Sequence, residues 1–118
     1  MTPVTDVELR HKLAWEIGWS YYLPTASWYF ETSDDVIEPP DYFESIDRLL
    51  QDAWPVLVKD GFVEWSISAI EGGRSDARVW KPGMFRPYSA TDRRPSRALG
   101  LAFLDALKSS HGSMASWR

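Results

Sequence analysis

Residues 62–70, FVEWSISAI, decide the fold class because their apolar side chains recur at every second position. Trp65, Ile67 and Ala69 share one face of this segment, whereas serines and Glu64 share the other. An alternation of period two predicts a half-buried β-strand.

Residues 71–89, EGGRSDARVWKPGMFRPYS, extend the same pattern. A glycine-rich turn is expected at 71–76, followed by strands at 77–81 and 84–89 that are split at Pro82-Gly83. The whole segment therefore predicts an antiparallel meander.

Helices are predicted at both ends of the chain. Thr5 and Glu8 have the spacing of a capping box, and apolar residues at helical spacing follow them, so the first helix is expected at 6–17. A closing helix is expected with Pro95 in its first turn, where a missing N–H does no harm.

The stretch between the first helix and the meander contains a hairpin and a second helix. Residues 19–31, WSYYLPTASWYFE, carry six aromatic side chains around Pro24 and predict two short strands joined by a turn. Pro39-Pro40 predicts a loop, and Asp41 is expected to cap the helix that follows. Pro55 lies inside that helix, which must either kink there or end and restart.

This order of elements predicts an α+β domain, with an antiparallel sheet of about four to five short strands and two to three helices packed on it in a layered α/β/α sandwich. The 118 residues weigh 13.6 kDa, a size typical of one domain, which is expected at 1–108 with a flexible tail at 109–118. The absence of cysteine excludes a disulfide scaffold and a thiolate zinc site. The sequence shows no targeting leader and no apolar run long enough to span a membrane, so we expect a cytoplasmic protein.

The net charge of −4 conceals an uneven distribution along the chain. Residues 1–73 carry −10, whereas residues 74–97 carry +5. The basic segment either pairs with the acidic half inside the fold or forms a positive face on an acidic protein.

Several short motifs occur in an order that is similar to a known family. The motifs are Ile17-Gly18-Trp19, Pro40-Asp41-Tyr42, Ser45-Ile46-Asp47, Trp65, Pro95 with Ala98-Leu99, and Ala102-Phe103-Leu104. Over about residues 9–107 the chain resembles the phage ABA sandwich domain family. The resemblance implies a layered α+β protein encoded by a bacteriophage or prophage, and it supplies no catalytic residue.

Residue types that support catalysis or metal binding are not gathered in one place. His11 and His111 are far apart in the chain, and no glycine-rich loop has the spacing of a phosphate cradle. Asp34-Asp35 with Glu38 and Asp41 has the chemistry of a cation site, although a solvated acidic loop is the simpler interpretation. We therefore expect no enzyme activity, no cofactor and no bound metal.

Arginines gather at the predicted start of the closing helix, where each cation opposes the helix dipole at a cost of about 0.3–1 kcal/mol. One interpretation is that carboxylates from the acidic half compensate for them. The other is an anion-binding site made by Arg93, Arg94 and Arg97 with Arg78 or Arg86 from neighbouring strands.

Seven tryptophans exceed what so small a core can bury. Strand alternation places Trp80 opposite its apolar neighbours and leaves at least one ring of Trp28-Tyr29 exposed. We expect Trp80, Trp28 and Tyr29 to contribute to a binding surface.

These observations favour a small non-enzymatic accessory protein that binds a host or phage protein as an inhibitor or adaptor, for example as an anti-defence factor. The alternative is a sponge-like binder of an anionic small molecule such as a signalling nucleotide, with its base stacked on Trp or Tyr. The sequence pI near 5.1 opposes nucleic-acid binding. The exposed aromatics are compatible with a homodimer.

Overall fold

The computed structural model describes residues 6–30 and 36–115, with side chains as far as Ser109. Its elements, in chain order, are α1 (Asp6–Ile17), β1 (Ser20–Tyr22), a 3-10 turn (Leu23–Thr25), β2 (Ser27–Tyr29), α2 (Ile46–Arg48), a π-helical segment (Leu49–Ala53), α3 (Trp54–Lys59), β3 (Glu64–Ile70), β4 (Arg74–Trp80), β5 (Tyr88–Asp92) and α4 (Pro95–Ala115).

Helix α1 and the aromatic hairpin are confirmed. The helix spans the predicted residues and ends at Gly18, whose φ of +125° favours glycine. Strands β1 and β2 pair antiparallel, with Ser20 opposite Tyr29. The predicted cap residue Thr5 lies outside the described residues.

The meander is confirmed as the sheet β3-β4-β5, in which Ile67, Ala77 and Ala90 lie side by side. Gly72 and Gly73 both have positive φ, so they close a tight turn and β4 begins earlier than expected.

The position of the third strand was predicted incorrectly, because β5 starts at Tyr88 and not at Met84. Pro87 lacks the N–H that a strand ladder needs, so the ladder begins only after it. The backbone N–H of Lys81 donates to the sulfur of Met84 at 3.2 Å, which folds this stretch into a loop.

The second helical region continues through Pro55 without ending, because the π-helical segment leads directly into α3, which begins at Trp54; the predicted end and restart through Val56 and Leu57 is not observed. Because Pro55 has no N–H, the normal ladder is interrupted, and the N–H of Trp54 donates to the carbonyl of Leu49 in a π-helical step. The predicted cap at Asp41 is incorrect: Ser45 Oγ accepts the N–H of Arg48 at 3.3 Å.

The α+β class is confirmed, with the strands divided between a two-stranded and a three-stranded sheet instead of one sheet of four to five. Helix α4 packs on β4 and β5 and also contacts α1, so its apolar residues are buried around most of its circumference. On β4, Ala77 and Val79 face this helix, whereas Arg78 on the opposite face is exposed. Among the described residues the layers are therefore sheet, α4 and α1, in place of helices on both sides of the sheet.

Helix α4 continues through Ala115, into the segment expected to be a tail. Within the described residues, no helix is long and apolar enough to cross a membrane.

Candidate functional site

The first turn of α4 lies beside an open groove with a volume of about 600 Å³. We call it the arginine groove; its lining residues come from α1, β4, β5 and the start of α4, and they are Asp6, Arg74, Asp92, Arg93, Arg94 and Arg97. The fold therefore brings together the three arginines that the sequence singled out.

Among the arginines that line the groove, Arg97 has the most carboxylate partners within the described residues. Its guanidinium pairs with Asp6 of α1 and with Asp92, where Nε lies 3.1 Å from Oδ2. It also lies over the ring of Phe43, 6.0 Å from the centroid. The hydrogen bond to Asp6 raises the pKa of Arg97, so the group stays charged and ties α1 to α4.

Arg94 is neutralised in a similar way. Its guanidinium pairs with Glu44, and its backbone N–H donates to Asp92 Oδ1 at 3.0 Å. Asp6 and Glu44 both belong to the acidic half of the chain. The expectation that carboxylates from that half compensate for the helix-start arginines is thus confirmed for Arg94 and Arg97.

Arg93 and Arg74 line the same groove without such compensation. Both side chains are exposed, and neither forms an ion pair within the described part of the chain. The groove thus presents two uncompensated guanidinium groups. Sequence reasoning singled out Arg93 but missed Arg74. The turn at Gly72-Gly73 brings Arg74 to the start of α4, and nothing in the sequence of that turn indicates that Arg74 lies near Arg93.

The remaining predicted arginines lie elsewhere. Arg78 is on the open face of the sheet, where its Nε donates to Asp76 Oδ2 at 2.8 Å, and Trp80 follows it on the same face. Arg86 is exposed in the loop between β4 and β5. None of Arg78, Arg86 and Trp80 lines the arginine groove.

The two predicted hairpin aromatics do not share a surface, and Trp28 is buried, contrary to the expectation that it contributes to an exposed binding surface. Trp28 is 7% exposed, and its ring lies 4.9 Å from that of His11 and 5.2 Å from that of Tyr21, between centroids. Tyr29 is exposed on the opposite face of its strand. Depressions of about 460 and 390 Å³ adjoin the His11–Trp28 pair, and Trp15, 59% exposed, lines the larger one. The sequence did not single out Trp15 as a surface residue.

Two of the four residues of the predicted acidic cluster, Glu38 and Asp41, lie beside basic side chains. Glu38 Oε2 lies 2.6 Å from His11 Nε2, and Arg10 donates to Asp41 at 3.0 Å. Asp34-Asp35 lies outside the described residues. Across residues 6–30 and 36–115, no three metal-ligating side chains come together.

Tyr42 forms a buried polar network that sequence reasoning did not find. Its hydroxyl donates to Asp52 Oδ2 at 2.5 Å and accepts from Trp19 Nε1 at 2.9 Å, and its ring is fully buried. Burial, and next the hydrogen bond to Asp52, raise the pKa of Tyr42. Because the buried phenol of Tyr42 is neutral and hydrogen-bonded to both Asp52 and Trp19, it suits a structural role.

The chain was compared with protein-family models, with curated proteins and with solved structures, and none of the three comparisons gave a match.

Proposed function

We propose that this chain is a non-enzymatic binding protein whose arginine groove receives an acidic segment of a protein partner. The observation that carries the proposal is the pair Arg74 and Arg93, two exposed guanidiniums beside one groove with no ion pair in the described chain. Desolvated charge pairs across an interface contribute to both specificity and affinity when the partner supplies the opposite charge.

The shape of the groove favours a chain segment over an enclosed small molecule. Small-molecule sites bury most of the surface of their ligand in a concave pocket. The arginine groove is an open depression, and the aromatic side chains Trp28 and Tyr29 that would stack on a nucleobase are not among its lining residues. An acidic loop or extended peptide needs neither enclosure nor stacking.

The motif order that resembles the phage ABA sandwich family supports a phage-encoded accessory role. We therefore propose a host or phage protein as the partner and the host cytoplasm as the location.

A labelled oligoglutamate peptide provides a defined probe for the groove. We expect it to bind at low ionic strength and to be released by salt, because exposed charges are screened. Arg93→Glu and Arg74→Glu should each weaken binding roughly tenfold or more, measured by fluorescence anisotropy.

Arg86→Glu is the matched control, since it makes the same charge change at an exposed arginine outside the groove. Equal losses in Arg86→Glu and Arg93→Glu would show that only net charge matters and would refute the proposal. Displacement of the peptide by adenosine triphosphate at much lower concentration would favour the small-molecule alternative instead.

A further inference from the structure

Strand β3 is an edge of the three-stranded sheet, and only one of its sides is paired. β4 pairs with all seven of its residues, from Glu64 opposite Trp80 to Ile70 opposite Arg74. The strand order β3-β4-β5 leaves the other side without a neighbouring strand in the described part of the chain. Half of the backbone N–H and C=O groups of β3 therefore point away from the sheet without a strand partner.

This edge lacks the features that usually prevent strands from pairing with another chain. Natural edge strands are shortened, or carry proline, lysine or a bulge. The opposite edge, β5, is shorter and follows directly on Pro87. Strand β3 has no proline and no lysine, its pairing with β4 runs without a bulge, and its one charged residue is Glu64 at the end.

The core-side face of β3 is also incompletely covered. Helix α4 packs mainly on β4 and β5 and only slightly on β3. As a result Trp65 and Ile67 are half-buried, although Val79 and Ala77, their partners on β4, are fully buried. Apolar surface at this edge remains open to a further layer.

We propose that β3 pairs antiparallel with β3 of a second copy of this chain, around a two-fold axis at Ile67, to form a continuous six-stranded sheet. This register is the one in which all seven residues of each strand find a partner. It sets Trp65 opposite Ala69, a large ring against a small side chain, on the core side. On the open side it sets Ser66 opposite Ser68.

The charges at this edge fit a second copy. Glu64 lies opposite Ile70 of the second copy, so no two like charges are paired across the β3–β3 interface. Ile70 is paired in turn with Arg74, so Glu64 of one copy and Arg74 of the other lie in the same cross-strand row. Neighbouring strands are spaced about 4.8 Å apart, so Glu64 and Arg74, two strands apart, are separated by about 9.6 Å along this row, a distance that two long side chains can bridge.

The proposal does not rest on the proposed function of the arginine groove, although Arg74 adjoins both surfaces, and it predicts a weak dimer. One seven-residue edge spans about 23 Å and buries less than a standard interface. Sedimentation equilibrium should therefore give a mass that rises with concentration from 13.6 kDa toward twice that value.

Paired substitutions on the open face of β3 test the register. Ser66→Lys combined with Ser68→Lys places lysines opposite each other at two symmetric positions and should raise the dimer Kd about tenfold or more. Ser66→Glu combined with Ser68→Lys places opposite charges at the same positions and should restore or tighten the dimer. Ser89→Lys combined with Thr91→Lys is the control, because these residues occupy the same two cross-strand rows on β5.

Hydrogen exchange on the unmodified protein gives a second, variant-free test. Amides of β3 should gain protection as the protein concentration rises, whereas those of β5 should not. A monomer at every concentration, equal losses from the β3 and β5 lysine pairs, or no recovery in the Glu–Lys variant would each overturn the proposal.

Discussion

At the scale of single residues, the hydroxyl of Tyr42 connects three segments that are distant in the sequence. It joins Trp19, which follows α1, to Asp52 in the π-helical segment, and it is itself buried. The π-helical step contributes here, because it shifts the helix register in the turn that carries Asp52. The network therefore fixes how α1 meets the second helical region.

Tyr42→Phe should destabilise the protein by about 1–3 kcal/mol at neutral pH, because the buried N–H of Trp19 loses its acceptor and Asp52 loses a donor. The raised pKa of Tyr42 adds a pH dependence. Its neutral form stabilises the fold fully below the ordinary tyrosine pKa of 10.0, and that contribution is lost as the pH rises above this value. Urea unfolding of both proteins from pH 7 to 11 should show their stability difference shrinking above pH 10.

Tyr29→Phe serves as the control, since this tyrosine is exposed. A stability difference between wild type and Tyr42→Phe that is unchanged from pH 7 to 11 would contradict the assignment.

The arginines of the groove show how far sequence reasoning reached at this scale. Crowding of cations at the start of α4 follows from local spacing, and so does the need for carboxylates. Which carboxylate pairs with which arginine does not follow from local spacing, because Asp6 and Glu44 are distant in the chain from Arg97 and Arg94. Which arginine remains free depends on the tertiary fold.

At the scale of elements, local rules predicted α1, the hairpin and β3 because each carries its own period and end signals. The start of β5 was missed because the apolar residues Met84 and Phe85 follow the Pro82-Gly83 turn as a strand would, whereas Pro87 removes the ladder donor just before Tyr88. The cap at Ser45 was missed because Asp41 and Glu44 show the same spacing as a capping pair. Where two local signals compete, tertiary packing decides between them.

Gly100 illustrates a conflict between helix propensity and packing within α4. Alanine at an interior helix position is normally favoured over glycine by about 1 kcal/mol. A Cβ at Gly100, however, would lie 2.6 Å from Cδ1 of Phe43, whose ring is buried. Overpacking of this kind costs about 1–3 kcal/mol, so Gly100→Ala should lower the free energy of unfolding despite the propensity gain.

A double-mutant cycle with Phe43→Leu tests this explanation by chemical denaturation. The smaller side chain should make Gly100→Ala less harmful or favourable. If Gly100→Ala stabilises the protein with Phe43 in place, the close approach is not a constraint.

At the scale of the whole molecule, α4 is the layer that the other elements share. It packs on β4 and β5 on one side and on α1 on another, and Arg97 at its start pairs with Asp6 of α1. The sequence marks α4 as amphipathic, with one apolar stripe, but its burial on several sides depends on the arrangement of the layers. For that reason the class was predictable and the layer order was not.

The central position of α4 predicts that the sheet and α1 unfold together. Leu99 is fully buried in the part of α4 that follows the arginine groove. Leu99→Ala should cost about 2–5 kcal/mol through lost burial and the cavity left behind. Because α4 bridges the layers, native-state hydrogen exchange should show the most protected amides of α1 and of β4 losing protection by the same free energy. Loss in β4 with α1 unchanged would instead mean that α1 and its hairpin form a separate folding unit, held to the rest by ion pairs such as Arg97–Asp6 and not by a common core.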